Sequence, residues 1–106
     1  MHKHLFAAFA ALALVAPLAH SQGAAPDPNL ARNLAATCAN CHGTQGQARG
    51  DSKPLAGVPA AAITAMMGAF KSGAASSTIM GQIAKGYSDA QVALIAGYFA
   101  AQQPKP

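Results

Sequence analysis

Cys38-Ala39-Asn40-Cys41-His42 decides how this chain is read. Two thiols three residues apart, with an imidazole directly after the second, form the attachment pattern of a c-type haem. The spacing has a chemical reason. On one turn of helix, residues i and i+3 face the same side, so both sulfurs reach the two vinyl groups of a single porphyrin. Thioethers at Cys38 and Cys41 then fix the haem to the chain, and His42 is placed as proximal ligand of the iron. Other readings fit less well. A zinc site usually takes four protein ligands, and there is no second cysteine pair. A thioredoxin-like redox pair needs a βαβ setting, which this Ala-rich chain does not offer. A plain disulfide leaves His42 unexplained.

The chain has 106 residues, enough for one small domain. Its first segment reads as an address and not as fold. Met1-His2-Lys3-His4 precedes an apolar run over 5–18, and Ala19-His20-Ser21 offers small residues where a signal peptidase cuts. Residues 1–21 are therefore expected to be a secretory signal peptide. The run is short of the roughly 20 apolar residues of a membrane span, so no span is expected in the mature form. Export agrees with haem c. Thioether attachment belongs outside the bacterial cytoplasm, where free thiols tend to pair. A periplasmic location follows as an expectation.

After Ser21 the bases are Arg32, Arg49, Lys53, Lys71, Lys85 and Lys105, and the acids are Asp27, Asp51 and Asp89. Two haem propionates would bring this close to neutral. There is no basic stripe with interleaved aromatics, so nucleic acid is not an expected partner.

Residues 22–28 hold Gly, Ala and two prolines and read as a flexible leader. The domain is expected over 29–103, with 104–106 as a tail. A first helix starts near Pro28-Asn29, carries Leu30 and Leu34 on one face, and runs into the cysteine motif. Gly43, Gly46, Gly50 and Gly57 mark a functional loop over 43–57. A second helix is expected over 59–72, with Ile63, Met66, Met67 and Phe70 as a buried stripe. A short helix over 79–85 ends at Gly86. Ser88-Asp89-Ala90-Gln91 is a capping-box pattern, and the last helix, over 89–102, buries Val92, Ile95, Ala96 and Phe99. No strand is expected. The fold class is all-α, with three main helices and a short one around one covalent haem.

The sixth position of the iron needs a ligand. Residues 22–106 contain one histidine, His42, which leaves methionine as the natural partner; His/Met ligation raises the potential of a cytochrome c. Met66 and Met67 sit in a helical stripe and suit gap-filling. Met80 follows a small polar loop and precedes Gly81, where a side chain is free to face a flat cofactor. The competing reading makes Met80 a core residue and leaves the sixth site open to peroxide or small gases.

The order helix, CxxCH, loop, helix, Met, helix resembles class I cytochromes c. In that family the first and last helices cross with an aromatic at the crossing, a place for Tyr98 or Phe99. Ala69-Phe70-Lys71-Ser72-Gly73 and Ser77-Thr78-Ile79-Met80-Gly81-Gln82-Ile83-Ala84-Lys85-Gly86-Tyr87-Ser88-Asp89 look most like the monohaem cytochrome subunits of flavocytochrome c sulfide dehydrogenases. Cytochrome c4 and c553 domains share looser versions. The resemblance implies Met80 as distal ligand and an FAD-containing sulfide dehydrogenase flavoprotein as partner. Electrons would pass from flavin to haem and on to a downstream acceptor. One departure concerns the proximal side. In the family a proline two residues before the leucine of Leu-Ala-Gly supplies a carbonyl to the proximal imidazole. Here the segment is Lys53-Pro54-Leu55-Ala56-Gly57, so the proline is shifted by one and Lys53 becomes the backbone acceptor for His42.

Three functions compete: an electron-transfer subunit of a sulfide-oxidising flavocytochrome, a free periplasmic electron shuttle of the c553 or c4 kind, and an enzyme or sensor with an open haem. The shortage of acids and the single committed histidine argue against the third, so the chain itself is not expected to be an enzyme. Docking is expected around Ala39, Asn40, Gln45, Thr78, Ile79 and Gln82, with Lys71 and Lys85 able to steer an acidic partner. So small a domain has a poor surface-to-volume ratio, and the haem would supply missing apolar core. Removal of the haem is thus expected to leave a largely disordered chain. Far-UV circular dichroism of haem-free protein checks this, and full native helicity would contradict it.

Overall fold

Alanine is the strongest helix former, and the alanine-rich sequence folds accordingly. The computed structural model describes residues 23–106; the expected signal peptide over 1–21 lies outside them. The described residues form α1 (Leu30–Ala36), α2 (Ala39–His42), α3 (Ala60–Ser72), α4 (Met80–Lys85) and α5 (Asp89–Ala100), with a 3-10 turn at Thr44–Gly46. No strand occurs among them. The fold is all-α.

Asp27 opens α1 by accepting the Asn29 N–H on its side chain, at 2.8 Å, an Asx-type turn that starts the chain into helix. The first helix then departs from expectation. It does not run unbroken into the cysteine motif but stops at Thr37, where the Thr37 hydroxyl donates to the Leu34 carbonyl at 3.0 Å. The Cys38 N–H reaches back three residues to Ala35 O, at 3.0 Å. This tighter turn separates α1 from α2.

In α3, Ile63 and Met67 are buried and Phe70 half-buried. Met66 differs from the expected stripe: it is 49% exposed, because it lies at the margin of the arc that Ile63, Met67 and Phe70 share. Gly73 ends the helix in the left-handed conformation. In α5 the expected capping box is complete. Ser88 Oγ accepts the Gln91 N–H at 3.2 Å, and Gln91 Oε1 accepts the Ser88 N–H at 2.9 Å. Such a cap contributes about 1 kcal/mol. The next turns bury Val92, Ile95, Ala96 and Phe99.

α1 packs on α5, and α3 packs on both α4 and α5. The core consists of Ala35, Ala56, Ile63, Met67, Ala84, Val92, Ile95, Ala96 and Phe99. Four of these nine are alanines, so close helix approach contributes more here than bulky side chains. Phe99 is the largest fully buried one, at 1% exposure, and its ring meets that of Tyr98 edge-on at 5.3 Å. Of the two aromatics offered for the helix crossing, Phe99 is thus the interior one. Phe99→Ala is expected to destabilise the folded protein by about 3–5 kcal/mol. Denaturant unfolding measures this, and a loss below about 1 kcal/mol would place Phe99 outside the core.

Candidate functional site

Helix α2 presents the cysteine motif on a single turn. The His42 N–H bonds to Cys38 O at 2.9 Å and the Gly43 N–H to Ala39 O at 3.0 Å. Both cysteines are free thiols. Cys41 is exposed, while Cys38 is half-buried against the core. Burial pushes the Cys38 thiol up from its ordinary pKa.

The loop after α2 turns back to meet His42. The Gly46 carbonyl accepts the N–H groups of Leu55 at 3.0 Å and Ala56 at 3.2 Å, which closes the neck of the loop. Gly46 has φ +74°, and a Cβ there would lie 2.6 Å from Ala56 N and 2.9 Å from Phe99 Cδ1. No other residue fits that approach. Beyond the neck, the Lys53 carbonyl oxygen lies 2.6 Å from His42 Nδ1. A carbonyl only accepts, so Nδ1 carries the proton and donates. Nε2 is therefore the nitrogen with the free lone pair, the tautomer a metal-ligating imidazole needs.

Met80 is half-buried and packs against the same core cluster as Cys38. It follows the small polar loop and is the first residue of α4, the short helix expected over 79–85. The Ile79 carbonyl already accepts from Gln82 and Ile83, so helix begins there, and Ser77 Oγ fixes the entry by accepting the Gly81 N–H at 2.8 Å. Ile79 itself is 56% exposed. Asn40, Gln45, Thr78 and Gln82 are also exposed, and Ala39 is half-buried.

One expected steering charge has another task. Lys71 Nζ donates to the Tyr87 carbonyl at 2.6 Å and to Asp89 Oδ1 at 3.2 Å, tying the end of α3 to the start of α5. Tyr87 also reaches the cysteine motif, a link that sequence reasoning missed. Its hydroxyl lies 2.6 Å from Thr37 Oγ1. Thr37 gives its own proton to Leu34 O, so Tyr87 donates. The residue ahead of Cys38 is thereby held by a residue fifty positions later. No local pattern could have signalled it.

The donor set fits a c-type haem. Two unpaired thiols bracket one turn, the adjacent imidazole has its Nε2 free, and a thioether stands at the edge of the core. It does not fit zinc, since among the described residues no group of three or more His, Cys, Asp or Glu converges to hold a metal ion. Among these residues no helix is long and apolar enough to cross a membrane.

The all-helical order is consistent with a small all-α cytochrome c fold. No family model matches the chain. In sequence it is similar to the cytochrome subunit of sulfide dehydrogenase from Chlorobaculum tepidum, with 39% identity over 66 residues, 62% of this chain and 60% of that protein. The chain thus spans about three fifths of the length of the curated relative it matches.

Proposed function

We propose that this protein is a periplasmic monohaem c-type cytochrome that transfers single electrons. In this reading it is the haem subunit that accepts electrons from an FAD-containing sulfide dehydrogenase flavoprotein and passes them to a downstream acceptor. Cys38 and Cys41 would hold one haem c by thioethers, and His42 and Met80 would ligate its iron. When bound, the haem supplies a one-electron carrier at its iron.

The protein's own residues would do the rest. The observation that carries the proposal is the bond from His42 Nδ1 to the Lys53 carbonyl. It fixes the tautomer, orients the ring and raises its basicity before any ligand arrives. The likeness to a cytochrome subunit of sulfide dehydrogenase supports the choice of partner. The exposed Ile79, with polar Thr78 and Gln82 beside it, offers a docking surface of low charge next to Met80.

Met80→Ala is expected to abolish the weak red ferric-iron-to-sulfur absorption and to lower the reduction potential. An unchanged spectrum would move the ligand to Met66 or Met67. A second experiment tests the partner. Gentle purification from the native periplasm is expected to give near-equal flavin and haem, with haem reduced on adding sulfide. Haem without flavoprotein would establish instead a free c553- or c4-like shuttle.

A further inference from the structure

Residues 103–106, Gln-Pro-Lys-Pro, carry no periodic pattern, yet they are tied to the loop that presents Lys53. Gln47 Nε2 donates to the Gln103 carbonyl at 2.5 Å, and Gln47 Oε1 accepts the Lys105 N–H at 3.0 Å. One primary amide thus pairs with two backbone groups two residues apart. A second tie lies at the base of the loop, where the Gly57 N–H donates to Phe99 O at 2.9 Å. Gly57 has φ +72°, and a Cβ there would meet Pro104 Cγ at 2.7 Å. The tail therefore lies directly on the loop. Between them is a cavity of about 400 Å³ whose walls include Pro54, the neighbour of Lys53, together with Arg49 and Lys105.

The loop has little else to hold it. Among the described residues, 48–54 make one hydrogen bond, the one between the Lys53 carbonyl and His42. That bond is exposed to water, which competes for both partners. The closest ties on either side of this stretch are the Gly46 neck and the amide of Gln47.

We infer that Gln47 is a positioning residue. By clamping the C-terminal strap, it holds the loop that aims the Lys53 carbonyl at His42 Nδ1, and so sets how strongly the imidazole donates to the iron. This rests on the haem reading above. Release of the strap loosens the loop, water takes a share of the Nδ1 proton, and the imidazole becomes a weaker donor. A weaker donor stabilises ferric iron less, so the reduction potential rises.

The test uses the full chain loaded with haem. Gln47→Ala removes both amide contacts. Lys105→Pro removes the donated N–H at an exposed tail position. Gln102→Ala is the comparator, since Gln102 Nε2 bonds to Tyr98 O at 2.7 Å, near the same end of the chain but not to the loop. Two readouts are taken: the exchange rate of the His42 Nδ1 proton by NMR, and the reduction potential. Gln47→Ala and Lys105→Pro are expected to speed exchange about fivefold, the scale of one lost neutral hydrogen bond, and to raise the potential. The Met80-dependent absorption stays intact, and Gln102→Ala moves neither readout. Unchanged exchange and potential in both strap variants would overturn the inference, even if both lose thermal stability. A parent protein without covalent haem would overturn the proposed function as well.

Discussion

At Gly46 three parts of the chain come within contact of one backbone position. Its carbonyl closes the loop through Leu55 and Ala56, and its Cα faces the ring of Phe99 with no room for a methyl group. Phe99 comes from α5, Ala56 from the far side of the loop, and Gly43, whose carbonyl accepts the Gly46 N–H at 3.0 Å, from the residue after His42. The close approach therefore sets helix α5, the cysteine turn and the Lys53 carbonyl relative to one another. Gln45 adjoins it with φ +56°, a left-handed conformation that costs a non-glycine residue roughly 1–2 kcal/mol. Strain of that size is tolerated because the surrounding contacts leave the turn no alternative.

The core explains why the domain would depend on a ligand. With alanine at four of its nine buried positions, the helices approach closely but bury few large side chains. Each fully buried Leu or Phe contributes roughly 1.5–3 kcal/mol, and among the described residues Phe99 is the one large side chain buried below 2%. The half-buried Leu34, Cys38, Leu55, Phe70 and Met80 surround that core. A flat apolar cofactor held by Cys38 and Met80 would lie on this fringe, where its burial adds most.

Much of this was legible in the sequence, for local reasons. Ser88 and Gln91 are three residues apart and make a cap by themselves. Val92, Ile95, Ala96 and Phe99 declare a buried face through spacing alone. The cysteine motif is five consecutive residues, and Lys53 could be identified as acceptor because a carbonyl's place in the chain matters and its side chain does not. What escaped was non-local. The break at Thr37 is stabilised by Tyr87, and Lys71 is occupied by Tyr87 and Asp89. Met66 lies on the margin of a helix face, where composition cannot decide exposure. The Gln47 clamp joins residues more than fifty positions apart, through a side chain that reads as loop filler.

The bond between His42 and Lys53 is made on one side by the peptide backbone. Such an interaction leaves almost no trace in amino-acid identity. Position 53 can change from lysine to most other residues while the oxygen stays where it is, so long as Pro54 keeps the chain extended. The residue whose carbonyl meets the imidazole is thus one of the freest to drift. Comparison of side chains between related chains would pass over it, and even a proline displaced by one position, as in this sequence, need not alter the chemistry.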